Sequence, residues 1–245
     1  MKIAVISDIH ANLAAMEVVL AEIDRLGADR IWCLGDVAGY GPFPNESIVA
    51  LTDYPLEAVA GNHDLGVVGV IETDGFNQDG RDAVIWQRPR MEEAALRYLR
   101  GLSLREKVSE TVTLVHGSPR DPVWEYLYTV REARESFAAM TANTVFFGHT
   151  HVPIVFRRDS GGEVEAVFPR PGERMITGKN YAWMINPGSV GQPRDGDPRA
   201  SFLIYDDEDR AITYHRLEYD VGVTRDAIRR FGLPQFLGDR LVRGI

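Results

Sequence analysis

The sequence is poor in three features that would each have indicated a particular class of protein. It has a single cysteine, Cys33, so no intramolecular disulfide is possible, and its apolar neighbours predict a buried structural side chain. It has no excess of basic residues, because the formal net charge is −9, which disfavours non-specific binding to nucleic acid or to an anionic membrane. The amino-terminal apolar stretch before Ser7 is too short for a signal peptide or a membrane span. These absences predict a cytoplasmic protein.

The composition is that of an ordinary globular chain. Hydrophobic residues make up 44% of the 245 residues and charged residues 26%, and no tract of low complexity interrupts the sequence. No internal repeat and no linker divides it. We therefore predict one domain that covers residues 1–245.

The first 150 residues alternate between predicted strands and predicted helices. Residues 2–6 form a short apolar run, residues 13–26 carry an apolar face at helical spacing after Asn12, and residues 30–34 form a second apolar run. Such a strand-helix-strand unit has parallel strands. After residue 150 the chain reads as strands joined by turns, with a helix near residues 224–231. The sequence predicts an α/β fold followed by an antiparallel or mixed sheet.

Polar residues of a particular kind follow five of the predicted strands. Because ligand crevices in open α/β sheets lie at the carboxyl ends of the strands, we expect these side chains to meet at one edge. They are Asp8 and His10, then Asp36, then Asn62, His63 and Asp64, then His116, and finally His149 and His151.

The types of these residues indicate a metal site. Carboxylate oxygens and imidazole nitrogens suit borderline divalent ions such as Mn, Fe, Zn or Ni, whereas a site for Ca or Mg alone favours oxygen. Asp8 and His10 are two positions apart, so an extended strand or turn would place both side chains on one side, and His149 and His151 repeat that spacing. Asp36 has two oxygens and could bridge two ions. The remaining histidine, His215, is predicted to be a core or surface residue.

Taken together, these motifs resemble the calcineurin-like metallophosphoesterase superfamily, and within it the small prokaryotic phosphodiesterases. The resemblance extends from residue 3 to about residue 195. The motifs that carry it are Asp8-x-His10, Gly35-Asp36, Gly61-Asn62-His63-Asp64, His116-Gly117 and Gly148-His149-Thr150-His151, with Ser7 to Asn12, Tyr40-Gly41-Pro42 and Asn186 to Gly191 as secondary markers. It implies a four-layer α/β/β/α sandwich of two mixed sheets flanked by helices.

The resemblance also implies a role for each motif residue. One metal would be held by Asp8, His10, Asp36 and His151, and the other by Asp36, Asn62, His116 and His149. His63 would stay off the metals and assist the leaving oxygen, with Asp64 orienting its ring. Arg120 and Arg194 are candidates to contact the substrate.

The predicted reaction is hydrolysis of a small phosphate ester, possibly of a nucleotide, by a hydroxide that bridges two divalent metal ions. Metal coordination lowers the pKa of water to about 7, and no side chain here could deprotonate water as effectively by acting as a simple base. We expect a phosphodiesterase, with a phosphomonoesterase as the alternative, because one metal pair serves both.

Protein phosphatases of the superfamily carry Glu where this chain has Asp64, which argues against a phosphoprotein substrate. A non-catalytic scaffold is disfavoured because every motif residue is present, and a nuclease of the superfamily stays open.

Trp124, Tyr126 and Tyr128 lie in a segment between motifs. They would form either an aromatic wall for a substrate or simple loop packing. The motifs do not identify the substrate, the native metals or the oligomeric state.

Overall fold

Twelve strands and eight α-helices make up the computed structural model, which describes residues 1–245. The strands are β1 (Lys2–Ile6), β2 (Arg30–Cys33), β3 (Leu56–Ala58), β4 (Arg105–Lys107), β5 (Val112–Val115), β6 (Thr144–Phe146), β7 (Ile154–Arg158), β8 (Val164–Val167), β9 (Arg174–Ile176), β10 (Ala182–Asn186), β11 (Ala200–Asp206) and β12 (Ala211–Leu217). The helices are α1 (Leu13–Leu26), α2 (Pro44–Thr52), α3 (Asn62–Val67), α4 (Gln78–Gln87), α5 (Glu93–Arg100), α6 (Val130–Phe137), α7 (Val221–Arg230) and α8 (Gln235–Arg243).

The strands form two six-stranded mixed sheets. The first has the order β3-β2-β1-β11-β12-β9, with β1, β2 and β3 parallel and the other pairs antiparallel. The second has the order β4-β5-β6-β10-β7-β8, with β5, β6 and β10 parallel and the other pairs antiparallel. Each sheet thus has three parallel strands, whose carboxyl ends lie at one edge of that sheet.

Three apolar clusters separate four layers. Ile3 and Leu203 of the first sheet pack with Phe146 and Trp183 of the second in the cluster between the sheets. A second cluster joins the outer face of the first sheet to α1, α2 and α5, and a third joins the outer face of the second sheet to α6. The predicted four-layer sandwich of two mixed sheets flanked by helices is confirmed.

Helix α1 shows how the sequence sets local structure. The Asn12 side chain accepts a hydrogen bond from the Ala15 amide at 3.3 Å and so caps the amino terminus. Gly27 ends the helix in a left-handed conformation with φ of 66°. The helix therefore occupies the predicted residues.

The structure contains elements that the sequence did not predict. β4 and β9 are three-residue strands at sheet edges, too short to show an alternating apolar pattern. α8 follows Pro234 near the end of the chain, and its Leu237 and Leu241 are buried. None of the eight helices combines the length and the apolar character that crossing a membrane requires.

Replacing Gly191 with Ala should destabilise the fold. A methyl group at Gly191 would lie 1.7 Å from the main-chain oxygen of Ile9, so one of the two backbone segments must move. We expect a loss of about 1–3 kcal/mol in the free energy of unfolding, measured by urea denaturation. Gly178→Ala is the matched control, because its methyl group meets no atom within 4 Å. Equal stability of the two variants would contradict the prediction.

Candidate metal centre

The predicted ligands come together where five strands end. Asp8 and His10 follow β1, Asp36 follows β2 and Asn62 follows β3, all in the first sheet. His116 follows β5, and His149 and His151 follow β6, in the second sheet. All seven side chains are buried. The site therefore lies across the ends of two packed sheets and not along the edge of one, as the sequence alone had suggested.

The first group of predicted ligands is Asp8, His10 and His151. The Nε2 atoms of His10 and His151 are 3.2 Å apart, and that of His151 lies 3.2 Å from Asp8 Oδ1. The other ring nitrogen, Nδ1, donates to the Ala38 carbonyl in His10 and to the Gln192 carbonyl in His151. Because those Nδ1 atoms carry the protons, both Nε2 atoms of the neutral rings present lone pairs to the same point.

The second group is Asn62, His116 and His149. His116 Nε2 lies 3.0 Å from His149 Nδ1 and 3.2 Å from Asn62 Oδ1. His116 Nδ1 donates to the Leu34 carbonyl at 2.8 Å, which leaves Nε2 of the neutral ring as an acceptor. Nitrogen and oxygen lone pairs therefore converge here too.

Asp36 lies between the two groups. Its Oδ2 atom is 3.8 Å from His10 Nε2 and 3.3 Å from His116 Nε2. Its Oδ1 atom accepts a hydrogen bond from the His63 amide at 2.8 Å, which fixes the orientation of the carboxylate. One oxygen of Asp36 thus faces both groups.

These atoms fit divalent cations. Asp8 Oδ1 and Asp36 Oδ2 are buried and have no hydrogen-bond partner. A buried charged acceptor without a partner is strongly unfavourable, and converging lone pairs add to the cost. A cation would satisfy all of them, and this mixture of carboxylate, imidazole and amide donors is typical of borderline divalent metals.

The ligand-bearing loops have an uncommon backbone conformation. Asp8, His10, Asp36, His149 and His151 all have φ between 50° and 65°. A left-handed backbone conformation at a residue other than glycine costs on the order of 1–3 kcal/mol, and it is retained only where surrounding contacts enforce it. The two-residue spacing therefore brings side chains together through left-handed turns and not through a continuing strand.

The pKa shifts show that the second group favours a positive charge. Burial lowers the pKa values of His10, His149 and His151 well below the usual range. Burial also acts on His116, but the Asp36 carboxylate outweighs it and raises the pKa of His116 to about 9. The Asp36 carboxylate therefore favours a positive charge beside it, which a bound cation would supply.

His63 lies beside the ligands in an aromatic pocket. Its ring centroid is 4.9 Å from that of His10, 4.4 Å from that of Tyr40 and 4.8 Å from that of Phe76. Burial lowers its pKa to about 4, and its Nδ1 atom has no hydrogen-bond partner. Its ring also lies close enough to His10 and Asp36 to ligate. His63 is therefore placed where its ring could reach a cation beside His10 and Asp36 or present a free nitrogen to a substrate.

Asp64 has a different environment from the one expected. Its carboxylate accepts hydrogen bonds from the amides of Asp36, Ala38 and Gly61 at 2.7, 2.9 and 3.1 Å. It makes no hydrogen bond to the His63 ring, whose Nδ1 atom is unpaired. The prediction that Asp64 orients His63 is therefore corrected, because Asp64 instead fixes the loops that carry Asp36 and Asn62.

The two candidate substrate-binding arginines differ. Arg120 forms ion pairs with Glu125 and Glu135, so its charge is neutralised within the protein. Arg194 forms no ion pair, and its Cζ atom lies 5.7 Å from the centroid of the Tyr40 ring, beside the metal centre. The structure thus favours Arg194 over Arg120.

The aromatic residues 126 and 128 lie at the site. Tyr126 stacks on the predicted ligand His149 with centroids 3.9 Å apart, and Tyr128 stacks on Tyr126 at 5.7 Å. Both tyrosines are more than 40% exposed. Trp124 instead packs against Phe76.

Sequence reasoning missed Gln87 as a positioning residue. Its side chain accepts a hydrogen bond from the Gly39 amide and donates one to the Gly41 carbonyl, and so holds the loop that carries Tyr40. Gly39 has no room for a side chain, because a Cβ atom there would lie 2.3 Å from His63 Nδ1. Tyr40-Gly41-Pro42 was the signal for this loop, but nothing in the sequence connected it to Gln87.

A family model for the calcineurin-like phosphoesterase superfamily domain matches residues 1–210. The chain therefore belongs to the calcineurin-like phosphoesterase superfamily. The predictions of this superfamily and of a metal-dependent phosphoester hydrolase are confirmed.

Individual relatives match along most or all of the chain. A crystal structure of a metallophosphoesterase from Sphaerobacter thermophilus is 41% identical with a TM-score of 0.90, and the match covers 100% of this chain and 99% of that one. An uncharacterized protein of Methanocaldococcus jannaschii, MJ0912, is 38% identical over 246 residues, or 99% of this chain and 98% of the relative. The phosphodiesterase YfcE of Escherichia coli K12 is 27% identical over 219 residues, or 85% of this chain and 89% of the relative.

Replacing Asp64 with Asn should weaken both the fold and the metal centre. An amide keeps one acceptor oxygen where three backbone amides now donate, so at least one donor loses its partner. We expect the free energy of unfolding to fall by about 1–3 kcal/mol and the metal affinity to fall with it, measured by urea denaturation and metal titration. Asp53→Asn, at an exposed carboxylate, should match the wild type. An Asp64→Asn variant with wild-type stability would contradict the assigned role.

Proposed function

We propose that this protein is a dinuclear-metal phosphodiesterase. The observation that carries the proposal is the position of Asp36, whose Oδ2 atom lies within 3.8 Å of a ligand nitrogen in each of the two groups. A shared carboxylate of this kind is how two-metal hydrolases hold their ions about 3.5–4 Å apart. Asp8, His10, Asp36 and His151 would hold one cation, and Asp36, Asn62, His116 and His149 the other.

The local charge suits a phosphate ester. Two divalent cations, the two carboxylates Asp8 and Asp36, and a hydroxide leave about one positive charge in the immediate shell. Surface acids more than about 8–10 Å away are screened by salt. The bound cations would supply a hydroxide nucleophile near neutral pH and neutralise the phosphoryl oxygens.

His63 would act on the leaving oxygen. Its ring is buried among aromatic side chains next to His10, and its low pKa keeps it neutral at pH 7. A neutral imidazole still carries one N–H group, which can donate to the oxygen of the departing alcohol. Tyr40 and Phe76 pack against its ring and would limit its movement.

A diester preference rests on two supports. The relative YfcE bears the name phosphodiesterase. In this chain, the exposed stack of Tyr126 and Tyr128 on His149 provides an apolar wall beside the site, suited to the second organic group that a diester carries. Comparing rates on bis-p-nitrophenyl phosphate and p-nitrophenyl phosphate with Mn tests it. Faster cleavage of the monoester would contradict the preference for diesters. If neither ester is cleaved, the assignment of phosphoesterase activity is contradicted.

Replacing Asp36 with Asn should disrupt both metal sites. The variant loses the negative charge that the two groups share, so we expect fewer metal ions per chain and a rate lowered more than about 100-fold, since changes even outside the ligand shell alter affinity 10- to 100-fold. Elemental analysis and hydrolysis of bis-p-nitrophenyl phosphate measure these effects. Asp53→Asn serves as the control for the same chemical change. Wild-type metal content in Asp36→Asn would count against the shared ligand.

Replacing His63 with Ala should separate catalysis from metal binding. We expect metal content near that of the wild type and a rate lowered by roughly 10² to 10⁴, the usual scale of general acid catalysis. His215→Ala is the control, because that ring lies on β12 and stacks on Phe202, away from the site. If His63→Ala instead loses a metal ion, His63 is a ligand, as its proximity to His10 and Asp36 permits.

A further inference from the structure

One of the four predicted histidine ligands lacks a support that the other three have. In His10, His116 and His151 the ring nitrogen away from the ligand cluster is hydrogen-bonded to a main-chain carbonyl at 3.0, 2.8 and 2.6 Å. His149 faces His116 with its Nδ1 atom, and its other nitrogen, Nε2, is buried without a hydrogen-bond partner. Histidine ligands of metals almost always donate that second N–H group to an acceptor, which fixes the tautomer and the ring orientation. No hydrogen bond of this kind orients the ring of His149.

The backbone of His149 is held in a way that does not fix its ring. The His149 amide donates to Asp8 Oδ2 at 3.1 Å, and the residue adopts a left-handed conformation with φ of 65°. These contacts place the main chain but leave the side-chain torsions to packing. A turn of the ring would move Nδ1 away from His116 Nε2, which is 3.0 Å from it. The geometry of the second ligand group therefore depends on what packs against this imidazole.

The ring of Tyr126 packs on that imidazole. The two ring centroids are 3.9 Å apart and the ring planes are inclined by 19°, whereas the stacked rings of His10 and His151 are 4.8 Å apart. Tyr128 stacks on Tyr126 in turn, with planes inclined by 9°, and its hydroxyl donates to the Thr150 carbonyl at 3.4 Å. A face-to-face stack resists tilting of either ring. Tyr126 thus limits the ring movement that a hydrogen bond limits in the other three histidines.

The segment that carries Tyr126 is anchored on both sides of this residue. Glu125 accepts hydrogen bonds from the hydroxyls of Ser118 and Ser136. Leu127 is fully buried in the cluster between the second sheet and α6. Tyr126 itself is 42% exposed, so burial of its own ring in the core does not account for its position. Its anchored neighbours present this ring to His149.

We propose that Tyr126 is the positioning residue for His149, and that its ring sets the affinity of the second ligand group for a cation. This inference rests on the proposed function, which places a cation among Asn62, His116 and His149. A ligand oriented by a stack with an exposed ring yields more readily than one oriented by a buried hydrogen bond. The second group would therefore release its cation before the first group does.

Titration of the metal-free protein with Mn tests the assignment without requiring turnover. We expect two ions per wild-type chain. In Tyr126→Ala the Kd of one ion should rise about 10- to 100-fold, the scale for loss of a residue that supports a ligand, while the Kd of the other changes less than about 3-fold. Tyr126→Phe keeps the stacked ring and loses only the hydroxyl, so both Kd values should stay within about 3-fold of the wild type.

The visible absorption of the cobalt-loaded protein gives a second measurement, because its bands depend on the geometry of the ligands around the ion. At saturating cobalt, the spectrum of Tyr126→Ala should differ from that of the wild type, and the spectrum of Tyr126→Phe should match it. The thermal midpoint of each metal-free variant is measured in parallel. A merely structural role of Tyr126 would lower that midpoint without changing the cobalt spectrum or weakening one ion alone.

Tyr181→Ala is the matched control. Tyr181 also packs on an aromatic ring, that of Trp183, but it directly precedes β10, which is parallel to β6, and so lies at the end of the sheet away from His149. It should bind both ions as the wild type does.

The positioning role is overturned if Tyr126→Ala binds both ions with wild-type affinity, which would leave Tyr126 as a substrate contact only. It is also overturned if both ions weaken alike, or if Tyr126→Phe loses as much affinity as Tyr126→Ala. A wild-type chain that binds fewer than two Mn ions would overturn the dinuclear centre of the proposed function instead.

Discussion

The structure depends on one arrangement: buried acceptor atoms that point at one another with no proton between them. The ring nitrogens of His10 and His151 face each other because their opposite nitrogens already donate to main-chain carbonyls. The Asp36 carboxylate is turned so that its unpaired oxygen faces both ligand groups. Such an arrangement is unfavourable in an empty site and favourable around cations, so the surrounding contacts must hold it in place.

The contacts around the site account for its left-handed backbone and for the position of Asp64. The left-handed backbone at five ligand positions is retained because neighbouring loops fix it, as when the Asp8 amide bonds to Gly35 and the His10 amide to Asp36. Both carboxylate oxygens of Asp64 accept hydrogen bonds from backbone amides, and neither bonds to the His63 ring. The Asp64 carboxylate is therefore structural, although it directly follows Asn62 and His63 in one sequence motif.

The sequence was informative where local rules decide the structure. Strands such as β1 and the capped helix α1 were predictable because burial and helix capping leave a pattern within a few residues. The convergence of the candidate ligands was predictable because Asp, Asn and His recur after strands. The role of Asp64 was not, since it depends on amides from a loop 26 residues away. Arg120 could not be excluded by sequence, because its pairing with Glu125 and Glu135 depends on the fold. Helix α8 was missed because its buried positions pack in a cluster with residues distant in sequence, such as Tyr40 and Ala83.

The division of ligands between the two sheets also bears on how long the folded chain survives. A cation held by Asp8 and His151 would join a loop of the first sheet to a loop of the second, much as a removable cross-link would. Separation of the sheets would then have to wait for the ion to leave, so metal supply would influence the unfolding rate. In a cell short of metal, the copies without ions would be the first to reach proteases, and protein abundance would follow metal availability.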